Sequence, residues 1–180
     1  MRTLFVLITG FGLTLGRATT LEQLSLNEMI LKSTAIVHAK VNGSYGAFRG
    51  VDVYTFYQLQ VSETLKPLGP QTPTRIEVAV PGGTARGVRQ SVPGAPALTI
   101  GGDYVLFLWN GSNSLTQIIG LSQGLFQMTQ DATGNPIIVR PGSFEATVVD
   151  KSGLATSDQP LTLRWSDARA QIRKALGGGY

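Results

Sequence analysis

The sequence predicts a mainly β domain: a small, strongly curved antiparallel sheet with a short helix before it and another after it. Three observations carry that expectation. Val51 to Leu65 alternates apolar and polar residues over its whole length, the period-two pattern of a half-buried strand. Asp103 to Trp109 (DYVLFLW) is almost continuously apolar, as a central strand buried on both faces must be. Helical spacing occurs only near the two ends, while Gly, Pro, Asn and Asp clusters break the middle into short runs.

Taken in order, Ser25 followed by Glu28 has capping-box spacing, and Leu26, Met29 and Ile30 then share one helical face up to Ser33 and Thr34. Ala35 to Val41 reads as a strand, with Val37, Ala39 and Val41 on one side and His38 and Lys40 on the other, ended by an Asn42-Gly43 turn. In the long run that follows, Val53, Thr55, Tyr57 and Leu59 face one way and Asp52, Tyr54, Phe56 and Gln58 the other. Lys66 to Pro70 stops it, and Arg75 to Val80 alternates again. After Trp109 come a turn at Asn110 to Ser114 and short strands at Leu115 to Ile119, Leu125 to Thr129 and Ile137 to Val139. The last two are separated by Asp131 to Pro136, whose Asp, Gly, Asn and Pro suit a turn. Pro141 to Gln159 is polar, with one edge strand expected at Ala146 to Val149. Ser166 is expected to cap a last helix, Asp167 to Leu176, and Gly177 to end it. Six or seven strands with two flanking helices fit an OB-like antiparallel barrel, which hides its edges by closing on itself; a β-sandwich is the alternative.

The chain has 180 residues, enough for one sizeable core. Arg2, the uncharged apolar run Leu4 to Leu15, and Gly16-Arg17-Ala18 together read as a signal peptide, residues 1–18. The run is too short for a spanning helix, which needs about 20 residues. Residues 19–176 are then one β-barrel domain and 177–180 a flexible tail. Cleavage after Ala18 leaves thirteen basic against eleven acidic residues, so the formal +4 falls to +2. With no polybasic tract, nucleic acid is not an expected partner. The absence of cysteine excludes disulfides, thiolate metal sites and a Cys nucleophile. Together with export it favours a bacterial source. Asn42-Gly43-Ser44 and Asn110-Gly111-Ser112 match the glycosylation sequon, but Asn and Gly are common at such turns anyway.

Pro81 to Gly102 (PGGTARGVRQSVPGAPALTIGG) holds six Gly, three Pro, two Arg and no acid. Loops of more than about 12–15 residues are uncommon in compact domains unless functional or disordered, so candidate binding residues are placed here: Gly82 and Gly83, whose amides can face an anion, with Arg86 and Arg89. The competing reading is a plain β connection whose glycines allow tight turns. The segment lacks the Lys-Ser/Thr of a P-loop.

Gly120-Leu121-Ser122-Gln123-Gly124 matches the G-x-S-x-G nucleophile elbow. That elbow needs a helix after the Ser, and here a strand is expected; the one histidine, His38, also precedes the Ser rather than following it. One His and no Cys do not make a typical zinc site. Asp52, Glu63, Glu77, Asp103 and Glu145 are dispersed, without a context that marks glycosidase carboxylates. Tyr54, Phe56 and Tyr57 suit either a stacking platform or cross-strand packing.

Four blocks carry a resemblance: LSLNEMILKSTAIVHAKV, VSETLKP, VPGGTARGVRQSVPGAPALTIGGDYVLFLW and IIGLSQGLFQM. From Leu24 to Val139 the chain resembles a family of exported bacterial proteins of unassigned function. The Pro-Gly-Gly to Pro-Gly-Ala-Pro and Gly-Leu-Ser-Gln-Gly blocks are the most specific parts. The opening helix and strand are loosely similar to netrin-like and metalloproteinase-inhibitor barrels. Those rely on an N-terminal Cys that this chain lacks, so the resemblance does not imply their inhibition. It implies no catalytic residue.

The expectation for function is an exported, non-enzymatic domain, periplasmic or extracellular, that binds a protein or polymer outside the cytoplasm and needs no cofactor or metal. The alternative is a secreted hydrolase of serine or carboxylate type.

Overall fold

In a computed structural model the described residues are 20–69, 73–142 and 147–177. They form a mainly β structure. In chain order the elements are β1 (Thr20–Glu22), α1 (Leu26–Lys32), β2 (Ala35–Arg49), β3 (Asp52–Lys66), β4 (Arg75–Pro81), β5 (Gly83–Ala85), β6 (Val88–Gln90), β7 (Asp103–Asn110), β8 (Thr116–Ile118), β9 (Leu125–Gln130), β10 (Pro136–Arg140), β11 (Thr147–Val149), β12 (Ala155–Thr156), β13 (Leu161–Arg164) and α2 (Trp165–Ala175). The signal-peptide reading of residues 1–18, Glu145, Ala146 and the last three residues of the expected tail lie outside the described residues.

An eight-stranded sheet runs β13-β10-β9-β7-β2-β3-β4, with β8 also paired to β7. Both β8 and β9 pair antiparallel with β7, on Leu108–Asn110 and Tyr104–Leu106 respectively. They therefore lie end to end along one edge of β7. The order β8-β7-β2-β3-β4 is that of an OB-like barrel: a three-stranded meander, a return strand on its first member, and a fifth strand folded back. Alternating antiparallel pairs make β8 and β4 parallel to each other. They come within 8 Å, Cα to Cα, but no ladder joins them. The barrel expected from the sequence is thus curled and left unzipped at this seam.

Two cores sit on opposite faces of the shared strands. Val37, Val41, Leu59, Val78, Leu106 and Leu108 fill the concave side. Ile36, Val105, Phe107 and Phe126 on the convex side receive Met29 and Ile30 of α1 and Trp165, Ala168 and Ile172 of α2. Each such aliphatic or aromatic side chain contributes about 1.5–3 kcal/mol when withdrawn from water. α1 has only seven residues and is held by this docking rather than by its own propensity.

Several boundaries differ from the sequence reading. Asn42-Gly43 is no turn: β2 runs through it to Arg49, and the extra residue is absorbed as a register shift between Val41 and Gly43. The turn instead falls at Gly50-Val51, where Gly50 takes a φ of +63°. Since β7 pairs only with Ala35 to Lys40, the outer edge of β2 beyond Lys40 is free of β7, while β4 flanks the β3 edge of the same hairpin from Tyr54 to Gln60; this far half is the β2–β3 ribbon. The Gly/Pro segment is not all loop, since it contains the β5–β6 hairpin. α2 starts at Trp165, with Arg164 rather than Ser166 at its N-cap; burial of the Trp165 ring fixes the start, and the Ser166 hydroxyl donates to Asp167 instead. β1, β12 and β13 were not expected. β1 pairs with β11, so the N-terminal strand is tied to the polar excursion after Pro141. Among the described residues, no helix is long and apolar enough to cross a membrane.

Candidate functional site

The β2–β3 ribbon and the β5–β6 hairpin build one end of the molecule together. β5 crosses the ribbon where Gly46 pairs with Thr55. A Cβ on Gly46 would lie 1.9 Å from the Thr84 carbonyl oxygen, and one on Gly83 would lie 2.2 Å from Thr55 Oγ1. Only glycine permits this approach. The Gly82 N–H donates to the Val53 carbonyl (2.8 Å) and the Thr55 hydroxyl donates to the Gly82 carbonyl (2.9 Å). Gln90 on β6 closes the contact: its side-chain oxygen accepts from the Val53 N–H at 2.6 Å, and its amide nitrogen reaches Asp52 at 3.4 Å. The hairpin turn is Arg86-Gly87, with φ of +48° and +80°. Two successive positive values mark a two-residue primed turn, whose twist matches the flanking strands.

Of the four residues singled out in the sequence, Gly82 is buried and Gly83 half-buried, both engaged with Val53 and Thr55; Arg86 and Arg89 are exposed. Gly82 supplies backbone shape here, its N–H committed to Val53. Gly82, Gly83 and Arg89 share a cavity of about 280 Å³ with Thr55, Gln90 and Pro96, and Arg86 stands apart at the turn. Neither arginine forms an ion pair among the described residues.

On the outer face of the ribbon, Tyr45 stacks on Phe56 with centroids 5.2 Å apart, and the Arg49 guanidinium lies 5.3 Å from the same ring. Tyr45 donates to Glu77 at 2.9 Å, and this bond to a carboxylate raises the phenol pKa. Tyr57 points to the other face, where its buried hydroxyl accepts from the Leu98 N–H. The three aromatics considered in the sequence are therefore not one platform; Tyr45 joins Tyr54 and Phe56 from across the hairpin. The misplaced turn at Asn42-Gly43 hid Tyr45 and Arg49, which the sequence reading left in a loop.

Gly120 to Gln123 form a loop between β8 and β9. The Phe107 carbonyl accepts from Ile119 N–H and the Phe107 N–H donates to the Gly124 carbonyl, both at 2.9 Å. The strand beside β7 is thus nearly continuous, with residues 120–123 looped out, and β9 follows rather than a helix. Gln123, 1% exposed, points inward: it accepts from the Leu24 N–H at 2.8 Å and donates to the Glu22 carbonyl at 2.9 Å. Among the described residues no hydrogen bond joins Ser122 to His38. The His38 Nε2 lies 2.9 Å from Asp103 and its ring meets Trp165 edge-on at 5.7 Å. Among the other carboxylates, Glu63 faces Arg169 at 3.5 Å, and Asp52 and Glu77 are engaged as above. Among the described residues no group of three or more His, Asp or Glu is placed to hold a metal ion.

A second concavity of about 350 Å³ lies at the seam, walled by Ala79, Pro81, Trp109, Ile119 and Leu121 with Leu21 at its edge. Compared with known proteins, the chain matches no family model and no curated relative.

Proposed function

We propose that the chain is an exported, non-catalytic binding domain, and that the end formed by the β2–β3 ribbon and the β5–β6 hairpin is its contact surface. One observation carries the reading: part of the Gly/Pro segment folds into a hairpin clasped to β2 and β3 that displays an exposed turn. Four residues with positive φ (Gly82, Gly83, Arg86 and Gly87), the Gly46–Thr84 approach and the Gln90 clasp shape a hairpin that leaves Arg86, Val88 and Arg89 exposed. The glycines take positive φ without strain; Arg86, at φ +48°, is the non-glycine held in the left-handed region, and such positions cluster at functional sites. The ligand would be an anionic protein or polymer outside the cytoplasm, periplasmic or extracellular, and no cofactor takes part.

The test compares wild type with an Arg86→Asn/Arg89→Gln double variant for binding to membrane, polysaccharide and protein fractions from the exported side of the cell. Asn tolerates the positive φ at position 86. Loss of about tenfold or more in binding to one fraction, with an unchanged melting temperature, is the expected outcome. Equal binding by both proteins removes the hairpin from the function. The hydrolase alternative needs Ser122 to be activated; its labelling by a fluorophosphonate probe would revive that reading.

A further inference from the structure

The two turns at this end pair aliphatic side chains with exposed arginines. Val51, at the apex of the β2–β3 turn, is 90% exposed, the most exposed large apolar side chain described, and Val88 beside the β5–β6 turn is half exposed. Arg86 and Arg89 lie on the same hairpin as Val88 and Arg49 two residues before Val51, all exposed, the Arg49 guanidinium resting over the Phe56 ring. The Gln90 bonds to Val53 and Asp52 tie the open end of the β5–β6 hairpin to the start of β3, beside Val51, so this hairpin and the β2–β3 turn lie at one end of the molecule. Asp52 is the one carboxylate held there by those bonds, which leaves the three arginines in excess by two. Tyr45 and Tyr54 follow further up the ribbon, Tyr45 on its outer face with the hydroxyl bonded to Glu77.

We infer that this end docks on an anionic lipid surface, with Val51 and Val88 entering the headgroup layer and Arg49, Arg86 and Arg89 pairing with lipid phosphates. The inference rests on the binding-domain reading above and puts an anionic lipid surface in place of its protein or polymer ligand. A cation patch alone would suit any polyanion. The apex valine decides between them: a soluble anionic polymer neutralises arginines but offers Val51 no apolar phase, whereas the interface of a bilayer takes both aliphatic and cationic groups. Amphipathic tyrosines suit the same boundary, where one end of the ring is apolar and the other wet. With so few aliphatic side chains, docking is weak and reversible, and it depends on lipid charge and on salt.

The measurement is co-sedimentation with vesicles of phosphatidylcholine alone and of phosphatidylcholine with 30% phosphatidylglycerol as a working composition, roughly the range of surface charge over which such attraction operates. Wild type and variants carry the same N-terminus, so any contribution from the Leu4 to Leu15 run cancels between them. The expected result is an excess on the anionic over the neutral vesicles, weakened by high salt. It falls about fivefold for each arginine removed by Arg49→Gln, Arg86→Asn or Arg89→Gln, and falls likewise for Val51→Asp, whose site is fully in solvent and whose fold is checked by its melting curve. Equal partition to neutral vesicles, or Val51→Asp binding as wild type does, overturns the inference. If dextran sulfate is bound with loss in the arginine variants but not in Val51→Asp, and vesicles are not bound, the lipid surface is wrong while the binding-domain reading stands. If the arginine variants change neither, both fall.

Discussion

Gln123, not Ser122, is the residue around which the Gly-Leu-Ser-Gln-Gly loop is built. Its carboxamide uses both ends on the chain entering α1, accepting from Leu24 N–H and donating to the Glu22 carbonyl. Its own carbonyl receives Arg140, a buried side chain that also donates to Asp158 at 2.8 Å. A substitution that leaves these main-chain partners in place without the amide leaves them unsatisfied, at about 1–3 kcal/mol for a buried group. Gln123→Leu is therefore expected to destabilise by about 1–2 kcal/mol, since two partners are lost together but both are only part-buried. Ser122→Ala, at a half-buried position whose hydroxyl bonds nothing among the described residues, should stay within about 0.5 kcal/mol. Urea unfolding of both variants checks the pair. A larger loss from Ser122→Ala than from Gln123→Leu would mean that the loop is organised around the hydroxyl after all.

At the scale of elements, α1 shows what a local signal can do. Ser25 and Glu28 form the reciprocal cap that their spacing predicts: the Ser25 N–H and hydroxyl donate to the Glu28 carboxylate at 3.0 and 2.7 Å, and the Glu28 N–H donates back to Ser25 Oγ at 3.3 Å. The Ser25 hydroxyl, then its N–H and Lys151, lower the Glu28 pKa from 4.5 to about 2. A depressed carboxylate stabilises the fold above its unfolded pKa and loses that contribution as the pH falls through the folded one. Glu28→Gln keeps the reach to Ser25 N–H but does not titrate. The melting-temperature advantage of wild type over Glu28→Gln is therefore expected to be constant above about pH 5 and to shrink steadily toward pH 2. Asp131 and Asp150, whose carboxyl pKa values are also lowered by local hydrogen bonds, are common to both proteins and cancel. A difference independent of pH would remove the charged cap. This cap, the alternation of β3 and the apolar run of β7 were legible because each is written within a few adjacent residues. Asn42-Gly43 misled because the same dipeptide serves a bulge when a partner strand continues past it, and that partner, residues 54 to 58, is distant in sequence. Arg86 and Arg89 were visible as charges in a Gly/Pro segment, but their display on a hairpin depends on Gly46 meeting Thr84, a contact no local pattern encodes. β13 and β1 are too short to show a period and exist through partners far along the chain.

The whole molecule turns on how a five-strand curl ends. In the β3–β4 ladder the bonded pairs recur every second residue from Gly82 opposite Val53 to Thr74 opposite Val61. The main-chain groups of Val78 and Val80 therefore point to β3, and those of Glu77 and Ala79 point to the seam. On β8 the Ile119 N–H bonds Phe107, so Ile118 turns its own groups toward β4. Side chains bridge what the backbone does not: Leu115 packs on Phe56 and Ala79 outside the curl, and Val80 and Ile118 belong to the same core within it. Amide exchange reads the difference directly, because protection follows the hydrogen bond and the opening that breaks it rather than burial alone. Ala79 is only 2% exposed, as sheltered as its neighbours Val78 and Val80. In a zipped barrel all of these amides would exchange slowly together. With the seam open, the Val78 and Val80 amides are expected to exchange with the slow set of β2 and β7, and those of Glu77 and Ala79 at least about tenfold faster, roughly the effect of 1.4 kcal/mol less opening free energy. Uniform protection along β4 would show that β4 and β8 are paired in solution and that the barrel closes.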